Sequence, residues 1–138
     1  MTYATQQDLT DRFGEEEIRQ LTDRDNIGAI DVAVAGKALA DADDEINGYL
    51  STKFTLPLAS TPKVITRVAC DIARYYLYAD RVTDQVKKRY DDAVKFMKGV
   101  AAGDISIGLD QAGSVPATEG GPDFVAGDRA FTRGKADG

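Results

Sequence analysis

An all-α fold is predicted by three observations. Apolar residues recur at spacings of three and four along three long stretches. Capping residues, glycines and prolines fall at the boundaries of those stretches. Strand-like alternation is confined to one short run after Gly103. The expected architecture is a compact helical bundle of three long helices plus two short N-terminal helices. An extended C-terminal arm, able to add a short strand, follows. The domain division expected from composition is a helical body at 1–103 and a Gly-rich arm at 104–138, because seven of the 13 glycines fall in those last 35 residues.

In chain order, "TQQDLTDRFGEEEIRQLTDRD" gives the two short helices. Thr5 caps the first, Leu9 and Phe13 share its face, and Gly14 stops it. Glu15, Glu16 and Glu17 then occupy the first turn of the second helix, where the helix dipole favours negative charge. Asp31 is the N-cap of a long helix to about Leu50, with Ala35, Leu39, Ala42, Ile46 and Tyr49 or Leu50 as its apolar stripe. "STKFTLPLASTPK" breaks the pattern, because two prolines and a Ser–Thr cluster cannot continue a helix. Thr61 as N-cap and Pro62 at the first helical position restart it.

From Lys63 to about Asp80 the stripe is Ile65, Val68, Ile72, Tyr76 and Ala79; from Asp84 to about Ala102 it is Val86, Tyr90, Ala93, Met97 and Val100. After Gly103, "DISIGL" alternates Ile105, Ile107 and Leu109 with smaller or polar residues, a pattern for one short strand. Such a strand needs a partner, from the arm or from another subunit.

Composition narrows the chemistry. A chain of 138 residues, 43% apolar and 29% charged, suits one domain with a core. A single cysteine, Cys70, allows no intrachain disulfide and suits a reducing cytosol. Histidine is absent, so serine–histidine and cysteine–histidine catalysis are excluded within one subunit. The N-terminus has neither the basic flank nor the apolar core of a secretory signal, and no membrane span is expected. Net charge is −6, which argues against sequence-independent DNA binding.

Several motifs are weighed against their ordinary structural roles. "ADADDE" (Asp41, Asp43, Asp44, Glu45) lies inside the long helix with Ile46 where a calcium loop needs glycine, and reads as a solvated helix face. "KKRY" (Lys87, Lys88, Arg89, Tyr90) is the one basic cluster; acidic neighbours make it a solvated face, or a contact for an acidic neighbouring subunit. "YYLY" (Tyr75, Tyr76, Leu77, Tyr78) surrounds its helix, so at least one ring points away from the core stripe, and Tyr75 and Tyr78 are candidate subunit contacts. Cys70 reads as an inert buried thiol. The arm keeps Ile105, Ile107, Leu109, Val115, Phe124, Val125 and Phe131 at intervals, as anchors that order on a partner.

The order of "AIDVAVAGKALADADDEINGYLSTKFTLPLASTPKVITRVACDIARYYLY", with the opening "YATQQDL" and the closing "RAFTR", resembles the Mu-like bacteriophage family of small head–tail connector, or head-completion, proteins. The resemblance implies a helical virion protein without enzymatic activity or cofactor. It implies a homo-oligomeric ring, usually twelvefold, below the portal protein, which extends the DNA channel and offers a platform for the next neck or tail component. The protein would sit in the virion neck, and in the host cytoplasm during assembly; genomic DNA would pass without sequence-specific binding. Phe124, Arg129, Phe131 and Arg133 are then expected to contact the portal or a neighbouring subunit, with Phe131 as anchor and the arginines as charge-assisted donors. Tyr75, Tyr78, Lys87, Lys88 and Arg89 are expected at subunit contacts.

The alternative reading is a tail-terminator or adaptor that meets the tail tube. A third is a helical DNA-binding regulator using Lys87 to Arg89, which the acidic balance disfavours. A carboxylate-only or metal-dependent enzyme built from Asp43, Glu45 or Asp71 has no supporting motif.

Overall fold

The computed structural model describes residues 2–116. They form five α-helices: α1 (Gln6–Phe13), α2 (Glu15–Thr22), α3 (Val32–Leu50), α4 (Lys63–Tyr78) and α5 (Asp84–Ala102). A single 3-10 turn, Ala79–Arg81, joins α4 to α5. The all-α bundle of three long and two short helices predicted from periodicity is the observed fold.

Local chemistry sets most of the boundaries. Thr5 and Asp8 form a reciprocal capping box at α1, and Gly14 ends that helix. The buried Thr22 hydroxyl accepts the Asp31 N–H at 3.0 Å, which places Asp31 so that its carboxylate accepts the N–H groups of Ala33 and Val34. Asp23 organises the intervening turn by accepting the N–H groups of Ile27 and Gly28 at 2.8 and 2.7 Å. Thr83 caps α5 and Gly103 closes it in the left-handed region. At α4 the expected cap is shifted by one residue: Pro62, with extended backbone, is the N-cap and Lys63 the first helical residue. The proline ring supplies no capping side chain, so this end begins without a side-chain hydrogen bond.

α4 packs against α1, α2, α3 and α5. Its buried residues therefore extend beyond a stripe, to Ile65, Val68, Ala69, Cys70, Asp71, Ile72, Ala73, Arg74 and Leu77. Leu77 takes the inward position at the C-terminal end; Tyr76 is half-buried and Ala79 exposed, because the helix ends at Tyr78. Leu9, Ile18, Ile46, Leu50 and Met97 from the other four helices complete the interior with Ile65 and Ile72.

The N-terminal segment is fastened across α3 and α4. The Tyr3 N–H donates to Asp43 at 3.0 Å, its hydroxyl donates to Asn47, and Thr66 donates to the Tyr3 carbonyl at 2.8 Å. Burial raises the Asp43 carboxyl above its ordinary value. The "ADADDE" run is thus not uniformly a solvated face: Asp41 and Asp44 are exposed, Asp43 is buried and Glu45 is half-buried. The N-terminal segment covers the Asp43 side of α3.

Beyond Gly103 no strand forms among the described residues. Ile105, Ile107 and Leu109 alternate with exposed residues, as the pattern required, and pack on the helical core as irregular backbone. Two isolated backbone bonds, without a ladder, tie this segment to the α3–α4 connection: the Thr55 N–H donates to the Gln111 carbonyl at 2.8 Å and the Ser60 N–H to the Gly113 carbonyl at 3.1 Å. Gly113 has φ +77°, and a Cβ there would lie 2.9 Å from the Leu58 Cα. Gly113→Ala is therefore expected to destabilise by about 1–3 kcal/mol through left-handed backbone and overpacking. Gly108→Ala, with similar φ but open space around it, should cost less. Urea midpoints of the two variants at unchanged slope check the difference.

Candidate functional site

Because α4 is surrounded, its polar residues must find partners on neighbouring helices. Arg74 meets Glu17 of α2, its Nε donating to Oε2 at 2.7 Å. The Tyr78 hydroxyl donates to the same oxygen at 3.1 Å. The guanidinium also lies over the Phe13 ring of α1, 4.2 Å from its centroid, and 5.8 Å from that of Tyr78. One arginine thus ties α1, α2 and α4. Burial, and then the neighbouring Glu17 carboxylate, raises the Tyr78 phenol above its ordinary value.

Beside this tie lies a polar cleft of about 340 Å³. Arg12 of α1, Glu17 of α2, Asp71 and Arg74 of α4, and Gln85 and Arg89 of α5 line it. The Asp71 side chain is only 6% exposed, and its closest cation is Arg89, with Nη1 at 3.9 Å from Oδ1. Burial raises its carboxyl above the ordinary value, opposed by Arg89, Arg67, Arg12 and Arg74. The adjacent Cys70 thiol is pushed up to about 12 by burial, which keeps it protonated and unreactive.

A second cluster joins α3, α4 and α5. Tyr75 and Tyr90 stack with centroids 4.0 Å apart and planes at 13°. The hydroxyls of Tyr76 and Tyr90 both donate to Glu45, the latter at 3.0 Å to Oε2. Burial, then the Glu45 bond, raises both phenols, Tyr90 to about 12.

The structure brings the expected contact residues to different places. Tyr75 and Tyr78 are half-buried and engaged within the chain, with Tyr90 and Glu17 respectively. Lys87 and Lys88 are exposed and face Asp91 and Asp92, each at 2.9 Å one turn along α5. Arg89 alone of the basic run turns toward the cleft. Phe124, Arg129, Phe131 and Arg133 lie outside the described residues. Asp43, Glu45 and Asp71 each belong to a different cluster, and no group of three side chains arranged to hold a metal ion occurs among the described residues. The Glu17–Arg74 tie had only a weak sequence signal, a charged residue inside an otherwise apolar helix.

The fold and these clusters define a small all-α protein whose interior polar side chains cross-link its helices. Residues 3–126 match the family model described as Bacteriophage Mu, Gp36, and the chain belongs to that family. It is 35% identical over 119 residues to the Mu-like prophage FluMu protein gp36 of Haemophilus influenzae, covering 86% of this chain and 84% of that protein. It is 37% identical over 111 residues to Gene product J of Escherichia phage Mu, covering 80% and 79%.

Arg74→Ala leaves Glu17 half-desolvated and removes the stacking on Phe13, so a loss of about 2–4 kcal/mol is expected. Arg74→Lys should recover only part of it, since an ammonium lacks the planar face; thermal melts followed by circular dichroism check both. The raised phenol of Tyr90 makes folding favour its protonated form. Its contribution is complete below the unfolded value near 10 and is lost as pH rises toward 12. Tyr90→Phe is expected to flatten the alkaline limb of a stability–pH curve over that window, at a cost of about 1 kcal/mol at neutral pH.

Proposed function

We propose that this Mu-like phage protein is a structural component of the virion, a head–tail connector that assembles as a ring on the portal and carries the next neck or tail component. The observation that carries the reading is membership of the Mu Gp36 family over residues 3–126, in relatives of similar length. The order of the motifs from Asp31 to the Tyr75–Tyr78 run, and the "RAFTR" element, add to it.

Physical features support the same reading. An acidic chain lets DNA slide past without adsorbing. A closed ring repeats one modest contact around its circumference, so no single strong site is needed. Arg129, Phe131 and Arg133 supply an aromatic anchor flanked by bidentate donors for a neighbour or the portal.

Native mass spectrometry of the protein, alone and with the portal protein of the same phage, tests the proposal. Addition to the portal ring in a fixed ratio, twelve to a portal ring of twelve, is the expected result. Binding to a tail protein while ignoring the portal would replace it with the adaptor reading.

A further inference from the structure

We propose that the cleft between α1, α2, α4 and α5 receives a carboxylate side chain from a second copy of this chain, held by Arg12 and Arg89. The proposal rests on the connector reading, because it names the contact that would close the ring.

The cleft is short of one negative charge. Three guanidiniums, of Arg12, Arg74 and Arg89, face two carboxylates, of Glu17 and Asp71. Arg74 and Glu17 satisfy each other at 2.7 Å. Among the described residues Arg12 forms no salt bridge, and Arg89 approaches Asp71 only to 3.9 Å, beyond hydrogen-bonding distance. Asp71 is almost fully buried at the wall of the cleft and accepts no hydrogen bond from a described residue. It anchors the field of the two arginines without using up their donors. A monovalent carboxylate brings the cleft to neutrality; an ammonium would add to the excess, and a phosphate dianion would reverse it.

The dimensions agree. About 340 Å³ with an almost wholly polar lining admits an Asp or Glu side chain and offers little to an apolar ligand. Arginine forks are matched in geometry to a carboxylate. The source follows from charge complementarity: the chain carries 23 acidic against 17 basic residues, and Asp25, Asp44 and Asp80 are exposed and in no salt bridge among the described residues. Asp25, in the turn after α2, and Asp44, on α3, lie on segments that do not line the cleft, so their contact with it would be heterologous, the arrangement from which rings are built.

The test uses the full chain in two measurements. In the first, the Arg Nε–Hε resonances are followed by NMR during titration with sodium acetate and, separately, inorganic phosphate. The Arg12 and Arg89 signals are expected to shift saturably with acetate, and the shift to vanish in Arg12→Ala/Arg89→Ala. In the second, self-association of the wild type and of that double variant is measured by native mass spectrometry with and without portal. The expected result is at least about a tenfold weakening with an unchanged helical spectrum, and partial recovery in Arg12→Lys/Arg89→Lys. Should the alanine variant fail to fold, the lysine variant carries the comparison, and assembly as strong as wild type in it overturns the role of the forks. Assembly unchanged in a folded alanine variant overturns the proposal, as does preference for phosphate or the absence of any shift. If the wild type never self-associates, with or without portal, the connector reading falls. A saturable acetate shift in that case leaves a carboxylate site whose source is not a second copy, which also overturns the proposal.

Discussion

The enclosure of α4 is the constraint from which the rest of this structure follows. A helix of 16 residues touched by all four others has no face left for solvent over its middle turns. Apolar residues meet that condition at Ile65, Val68, Ile72 and Leu77, but Asp71 and Arg74 stand in the same stretch, one turn apart on one face. Their charges can be kept only if the surrounding helices supply opposite ones. α2 supplies Glu17, α1 supplies the Phe13 face and Arg12, and α5 supplies Arg89. The short N-terminal helices are thereby fixed to the long ones by a charged tie as well as by Leu9 and Ile18. Breaking such a tie from one side costs far more than the pair is worth, because the remaining charge stays desolvated.

The helical elements were legible from sequence because their causes are local. Thr5 with Asp8, Asp31 and Thr83 act within three or four residues of the ends they cap, and the apolar stripes of α3 and α5 repeat at the helix period. Pro62 was misplaced by one position, within the span over which a proline fits either the cap or the first turn. The fates of Asp43, Asp71 and Arg74 were not legible, since Tyr3 lies 40 positions from the first, Glu17 lies 57 from the last, and the Arg89 that faces Asp71 comes from another helix. A run such as "ADADDE" looks uniformly polar until a neighbour covers one side of it. The alternation at Ile105, Ile107 and Leu109 fixed which side chains turn inward, but a strand also needs a neighbour with free backbone groups in register. The connection between α3 and α4 offers only isolated ones.

Two polar clusters divide the labour of holding the long helices. The Glu17–Arg74–Tyr78 tie works at the end of α4 nearest the turn into α5, joined to the N-terminal helices. Glu45, with Tyr76 and Tyr90, works on the opposite pairing, drawing α3 to α4 and α5. Tyrosine suits this role, with a ring that packs like an apolar residue and a hydroxyl that reaches a carboxylate. The "YYLY" run that surrounds its helix is explained in the same way. Leu77 faces the core, Tyr76 and Tyr78 reach acids on different neighbouring helices, and Tyr75 lies against Tyr90.

Part of the surface charge on this protein is self-paired, which bears on what it can recognise. Lys37, Lys87 and Lys88 each face an aspartate one turn along their own helix, and Arg19 faces Glu16. Each pair contributes little to stability, because water screens it. They also bear on binding, because a lysine offset by a carboxylate one turn away neutralises a phosphate less well and so displaces fewer of the cations condensed on DNA, whose release drives sequence-independent binding. In the basic run Lys87 to Arg89 two of the three charges are offset in this way, and the third, on a half-exposed side chain, lies 3.9 Å from Asp71. What remains is a surface with exposed carboxylates and exposed cations in no salt bridge among the described residues, and a pocket where guanidiniums outnumber carboxylates. Charge of both signs placed on one surface in this way suits a partner of mixed charge better than a phosphate backbone.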